Sequence, residues 1–229
     1  MRVSVFDSPD KVGEEELQRD LLLLPAWRRK QAVSYRHLID QVQCAKAYIL
    51  LHDSLAEEYG ISEMPSFEYG EYGKPRLSFS HVAKSLHVAS PVCFNLSHCS
   101  KGVMCVVDDK PVGCDIEMIP DEVDADVVAA CFSLAERERI WAADKPQVEF
   151  VRLWTAKEAL LKLEGIGLID DLSGLLTSSL AKGVCISTTV CEEKGYVYSV
   201  ASKAVSEIAC ETANQAASEK DNINIKVKD

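Results

Sequence analysis

VCFNLSHCSKGVMCVVDDKPVGCDIEMI, residues 92–119, is built from short β-rich runs separated by polar turns. Residues 92–96 and 102–107 flank one such turn and predict a hairpin, and Pro111 introduces a further strand over 112–116. On the N-terminal side, residues 3–6 alternate weakly like a short strand, and residues 14–24 predict a helix opened by acids that suit its positive end and interrupted at Pro25. Leu38, Val42, Ala45, Ile49 and Leu55 then recur at helical spacing within 34–59, with Gly60 as the stop. Gly70, Gly73 and Pro75 break residues 64–80 too often for a helix. On the C-terminal side, residues 125–143 and 150–164 are helical by period and propensity, Gly165 closing the second, while 183–191, 196–202 and 205–210 are strand-like. Helices and strands arriving in separate runs predict an α+β fold.

VCFNLSHCSKGVMCVV is echoed in pattern by YVYSVASKAVSEIAC, residues 196–210, which predicts two related α+β lobes. The expected boundaries are 1–108 for the N-terminal lobe and 109–229 for the C-terminal lobe. A tail from about residue 211 is polar, low in large apolar side chains, and reads as an appended segment.

The 229 residues are 47% hydrophobic and 27% charged, enough apolar surface for a core and too short for a multidomain machine. A net charge of −11 repels phosphate backbones and anionic membranes, so neither nucleic acid nor a membrane is an expected partner. No apolar run approaches the roughly 18 residues that span a bilayer, and the first residues carry acids where a signal peptide needs an apolar segment. The expected location is cytoplasmic. Nine cysteines, odd in number and without a C-x-x-C, read as reduced core thiols rather than a disulfide framework or zinc knuckle.

Asp115 and Glu117 stand two apart on a predicted strand and so project from one face, where two acids repel unless a cation, a proton or a strong donor relieves them. Hard oxygen donors favour Mg²⁺ among metals, and a solvated strand end is the plain alternative. Glu158 shares a helix face with Trp154 and Lys162. The same residues fit a capping box between Thr155 and Glu158 and a surface ion pair between Glu158 and Lys162. Asn95, Ser97 and His98 close an apolar strand, where they either reach a ligand or serve as structural hydrogen-bonding groups; no G-x-S-x-G elbow supports a hydrolase triad. Lys74 lies in a Gly-Lys-Pro turn. Arg28, Arg29 and Lys30 form a compact basic cluster that could meet an anionic ligand or an acidic protein, or simply end a surface helix. There is no P-loop and no G-x-G-x-x-G, so a phosphate site here must rely on side chains and metal.

The order GKP, FNLSH, VGCDIE, Phe132 to Glu136 as F-x-x-x-E, then LWTAKEALLKLEGIGL resembles the 4′-phosphopantetheinyl transferase superfamily, in its long, pseudo-dimeric form that activates peptide and polyketide synthases. The resemblance covers residues 28–168, most specifically 112–117 and 154–167. It implies two similar lobes related by a pseudo-two-fold with the active site in the cleft between them. It implies transfer of the phosphopantetheine arm of coenzyme A, the co-substrate, to a serine of an apo acyl carrier protein or peptidyl carrier domain, releasing adenosine 3′,5′-bisphosphate.

By that likeness Asp115, Glu117 and Glu158 gather Mg²⁺, with Mn²⁺ as a substitute and Glu136 nearby, and Lys162 faces the pyrophosphate. Lys74, Ser97 and His98 face the nucleotide end and Lys30 its phosphate region, while Glu158, or a water it holds, takes the serine proton. The chain departs from the family pattern at Val42 and Gln43, where relatives carry a basic residue and a hydroxyl, leaving Arg36 or Lys46 to substitute. It departs again at Trp27, where a lysine is common, leaving Lys30 and Arg28. A monomer is expected. The competing classes are a module that binds coenzyme A or a carrier without turnover, and a Mg²⁺-dependent nucleotide phosphohydrolase.

Overall fold

In the computed structural model, which describes residues 1–78, 92–167, 169, 171–204 and the backbone of 226–228, the chain divides into two compact units, 1–111 with 222–229, and 112–221. Both mix helices with mainly antiparallel strands, an α+β fold. The expected strand over 205–210 lies outside the described residues.

The first unit is organised by α3 (Leu38–Tyr59). It packs on a sheet made of β1 (Arg2–Asp7), β4 (Cys93–Cys99), β5 (Gly102–Asp108) and a short β9 (Lys226–Lys228), in the order β4-β5-β1-β9. The hairpin read from the sequence is β4-β5, with Leu96 opposite Cys105; β1 adds antiparallel to β5, with Ser4 opposite the same Cys105. Leu51 and Leu55 of α3 bury against Phe94, Val103, Cys105 and Val107 on one sheet face. The other side of α3 holds α1 (Glu14–Leu23) and α2 (Ala26–Val33) through Leu17, Leu21, Ala32, Val42 and Tyr48. The helix expected from residue 34 starts at Leu38, and the basic cluster at 28–30 lies within a helix of its own, α2. The broken stretch before β4 forms a small hairpin, β2 (Phe67–Tyr69) with β3 (Pro75–Leu77), turning through Gly73.

In the second unit β6 (Val112–Met118), β7 (Val184–Cys191) and β8 (Tyr196–Lys203) form an antiparallel sheet in the order β6-β8-β7. The long helix α6 (Pro146–Glu164) covers one face of it. Proline at the first helical turn loses no hydrogen bond, so the helix begins four residues earlier than its apolar period suggests. Gly165 ends it in the left-handed conformation, φ 70°, its N–H on the Leu161 carbonyl. The single helix expected over 125–143 is two: α4 (Ala125–Cys131) and α5 (Leu134–Ala142). Ser133 stops the first and starts the second, its hydroxyl accepting from Glu136 N–H while the Glu136 carboxylate accepts from Ser133 N–H. That is the capping box of this region; Thr155, read as a cap, lies inside α6.

Each unit, taken by itself, has the same chain order of strand, long helix and hairpin, and in each the second hairpin strand is central, β5 between β4 and β1, β8 between β7 and β6. Among the described residues the hairpin of the second unit is β7-β8, so residues 92–107 correspond in topology to 184–203; the second half of the expected echo, 205–210, lies outside the described residues. Among the described residues the eight cysteines are free thiols, and no helix is long and apolar enough to cross a membrane.

Candidate active site

Gly113 decides how β6 meets α6. A Cβ there would lie 2.8 Å from Leu163 Cα and closer still to the Ala159 carbonyl oxygen and the Leu163 N–H nitrogen, inside the 3.0 Å that Cβ contacts respect. Only glycine lets the helix backbone rest directly on the strand. Two residues on, and therefore on the same face, Asp115 meets the helix, and two beyond that Glu117. From α6, Glu158 and Lys162, one turn apart, complete the group.

Asp115 is 2% exposed, and the Lys162 ammonium donates to its Oδ1 at 2.5 Å. Burial by itself lowers the Lys162 pKa, but Asp115, by charge and hydrogen bond, with Cys114 and Glu158, holds it above the ordinary value. Burial and the Asp115 charge push Glu117 up to about 7 against the pull of Lys162, and Glu158 adds to the rise. Glu158 is raised for the same reasons, burial first and Asp115 second, again opposed by Lys162. The expected surface pair of Glu158 with Lys162 is thus subordinate to the contact between Lys162 and Asp115. Among the described residues no three His, Cys, Asp or Glu side chains already converge as an ion-binding set; the acids feel one another's charge, and the ammonium rests on Asp115.

The floor beneath this group is a chain of buried hydroxyls. Ser199 sits opposite both Asp115 and Thr188 in the sheet. Its Oγ lies 2.8 Å from Thr155 Oγ1 on α6 and 2.7 Å from Thr188 Oγ1. Trp154 packs beside Phe150 and Phe132.

Glu136 keeps different company. Its Oε2 takes 2.8 Å hydrogen bonds from the Ser133 N–H and from Lys157 Nζ. Lys157, 1% exposed, also donates to the carbonyls of Cys131 and Leu172 at 2.9 and 2.8 Å and lies over the Phe132 ring. This buried cation ties α6 to the end of α4, the start of α5 and the segment after the helix. The sequence reading passed over it because its acceptors are distant in the chain.

The remaining predicted residues belong to the first unit. Lys30 is exposed on α2. Lys74 is partly buried in the turn of β2-β3, its carbonyl accepting from Gly70 N–H. Ser97 and His98 are neighbours on β4 and face opposite sides, Ser97 buried and His98 exposed. Of the basic cluster, Arg28 is turned inward onto the Cys44 carbonyl and the Tyr48 ring, and Arg29 onto the Leu21 and Leu24 carbonyls that end α1. At the departures from the family pattern, Val42 is core, Gln43 donates to the Cys99 carbonyl, and Lys46 is held by Glu16 and Asp20 at 2.6 and 2.9 Å. Arg36 is exposed.

Residues 111–213 match the family model of the 4′-phosphopantetheinyl transferase superfamily. The chain is 31% identical over 167 residues to a 4′-phosphopantetheinyl transferase of Bacillus subtilis, covering 71% of this chain and 69% of the relative. It is 31% identical over 167 residues to 4′-phosphopantetheinyl transferase psf-1 of Bacillus pumilus, covering 72% and 67%, respectively. With 4′-phosphopantetheinyl transferase AcpT of Salmonella typhimurium it shares 34% over 142 residues, 57% of this chain and 69% of the relative.

Proposed function

The chain belongs to the 4′-phosphopantetheinyl transferase superfamily, a family of transferases, and we propose that it moves the phosphopantetheine arm of coenzyme A onto a serine of an apo acyl carrier protein or peptidyl carrier domain. The observation that carries this reading to particular residues is the buried contact of Lys162 with Asp115, beside two glutamates whose carboxyls are pushed up.

The donor set suits a hard divalent cation. Asp115, Glu117 and Glu158 raise one another's cost of ionisation, and with Lys162 as their cation they leave excess negative charge where burial makes it costly. Asp115, Glu117 and Glu158 would hold Mg²⁺, or Mn²⁺, which when bound neutralises charge on the donor pyrophosphate. The remaining work falls to the chain's own side chains. Lys162, kept protonated by Asp115, faces the pyrophosphate and offsets charge growing on the leaving phosphate. Glu158 takes the serine proton directly or through a water. The serine oxygen forms a bond to the phosphorus that carries pantetheine, and the bond from that phosphorus to the adenosine 3′,5′-bisphosphate leaving group breaks. Such a transfer depends mainly on alignment and charge neutralisation. Lys30, Lys74, Ser97 and His98 would serve the nucleotide end.

Mass spectrometry of an apo carrier incubated with the protein, Mg²⁺ and coenzyme A tests the reading. A gain of one phosphopantetheine per carrier is expected. Loss of coenzyme A without labelling would reveal a phosphohydrolase, and binding with neither outcome a non-catalytic module; both would refute the assignment.

A further inference from the structure

The surface of the first unit from the end of α1 through α2 to the start of α3 carries large apolar side chains in water. Leu22 is 73% exposed, Leu23 57% and Val33 51%, with Trp27, Tyr35 and Leu38 also open. Arg29 links Leu22 and Leu23 to Val33, whereas the Trp27 ring rests against Tyr48 and Phe67. The Arg29 guanidinium lies on the Leu21, Leu22 and Leu24 carbonyls and so fixes the end of α1 beside α2. Arg29, Lys30 and Val33 follow one another at helical spacing on the exposed face of α2. From Leu21 to Ile39 there are four cations and no acid, in a chain whose net charge is −11.

Large exposed apolar side chains with an arginine among them, in a stretch whose charges are all of one sign, fit a protein interface better than ordinary surface. Charge selects the occupant. A second copy would bring the same cations face to face across a two-fold contact, which disfavours it. An anionic membrane gains about 1 kcal/mol per surface cation. A bilayer is an extended surface that meets the charge of the whole molecule, −11, whereas a small protein meets only the local cations. An acidic protein with an apolar centre meets both features.

We infer that this surface docks an acidic protein, and, resting on the function proposed above, that this protein is the carrier that receives the phosphopantetheine. An acidic substrate approaching a strongly acidic enzyme needs such a local reversal of sign, which guides encounter and fixes orientation.

The test is steady-state labelling of an acidic apo acyl carrier protein by the parent and by a Leu22→Ser, Leu23→Ser, Val33→Ser variant, with circular dichroism to verify folding. These side chains are exposed, so the variant folds. KM for the carrier should rise about tenfold, with kcat and KM for coenzyme A within about twofold of the parent. In the parent, KM for the carrier should also rise with salt. Unchanged KM for the carrier with transfer intact overturns the docking surface and leaves the function standing. Parent protein that labels no carrier refutes the function; equal binding of the apo carrier to parent and variant, measured by fluorescence anisotropy, then refutes the surface as well. Loss in the variant of binding to anionic vesicles, or of a parent dimer in sedimentation, with KM for the carrier unchanged, reassigns the patch to those occupants.

Discussion

Replacing Gly113 with alanine places one methyl group where the backbone of α6 already lies. The new carbon would sit 2.8 Å from Leu163 Cα, and nearer to two other backbone atoms that cannot rotate away. Reaching even a tight contact of about 3.4 Å requires strand and helix to separate by more than about half an ångström. Overpacking of this kind costs about 2 kcal/mol. At about 4–8 °C per kcal/mol for a unit of this size, Tm should fall by about 10 °C. The same separation stretches the 2.5 Å contact between Lys162 and Asp115 and moves Glu158 from Glu117, so labelling should fall well below the parent even at temperatures where the variant is folded. Gly13→Ala is the comparison: nothing lies within 4 Å of a Cβ there, so no overpacking arises, and the expected cost is only that of a poorer N-cap for α1, about 0.5–1 kcal/mol. Thermal unfolding by circular dichroism and labelling measured well below each Tm decide the matter. A Gly113→Ala protein with unchanged Tm and turnover would refute the argument that strand and helix touch at this residue.

The elevated Glu117 carboxyl makes a prediction about pH. Its folded value of about 7 exceeds the unfolded 4.5, so the metal-free protein holds a proton that the unfolded chain releases. The penalty is absent below 4.5, grows between 4.5 and 7, and is complete above 7. Mg²⁺ should therefore raise Tm more at about pH 8 than at about pH 5, where protons compete for the same oxygens; an equal rise at both would count against these ligands. Glu158→Gln should abolish carrier labelling while leaving the protein folded, since it lowers repulsion among the acids, and Asp115→Asn should abolish labelling with a loss of stability, since Lys162 loses the carboxylate it rests on; turnover at the parent rate in either would reject the site. Lys157→Met should cost about 3–5 kcal/mol in urea unfolding, because Glu136 is left buried without its cation. Part of that loss should return in the Lys157→Met, Glu136→Leu double variant, and equal stability of single and double variants would show that the pair is not coupled. Ser133→Ala should cost about 1 kcal/mol and speed amide exchange in α5.

Elements that announce themselves by local pattern were legible in the sequence. The β4-β5 hairpin, the strand that holds Asp115, and the glycine stops of α3 and α6 follow from alternation and turn chemistry over a few residues. The failures are also physical. The break between α4 and α5 was hidden because apolar period continues across it; Ser133 with Glu136 is the signal that marks it. Helix α2 was overlooked because a dense run of charges masks its single buried residue, Ala32. Lys162 has a tempting partner one turn away in Glu158, yet Asp115, 47 residues distant, takes its hydrogen bond, because Asp115 is the buried charge that most needs one. Lys157 gave no sequence signal at all, since three acceptors from separate segments define its place.

The twice-used order of strand, long helix and hairpin makes the seam between first strand and long helix available twice. In the first unit that seam closes on two neutral hydroxyls, Ser4 Oγ and Ser54 Oγ, 3.0 Å apart and buried. In the second it closes on a carboxylate and an ammonium. One blueprint thus carries an inert copy and an electrically loaded copy of the same joint. On the function proposed, substitutions at the first answer to folding alone and those at the second to folding and transfer together, so tolerance to mutation should differ sharply between the two joints.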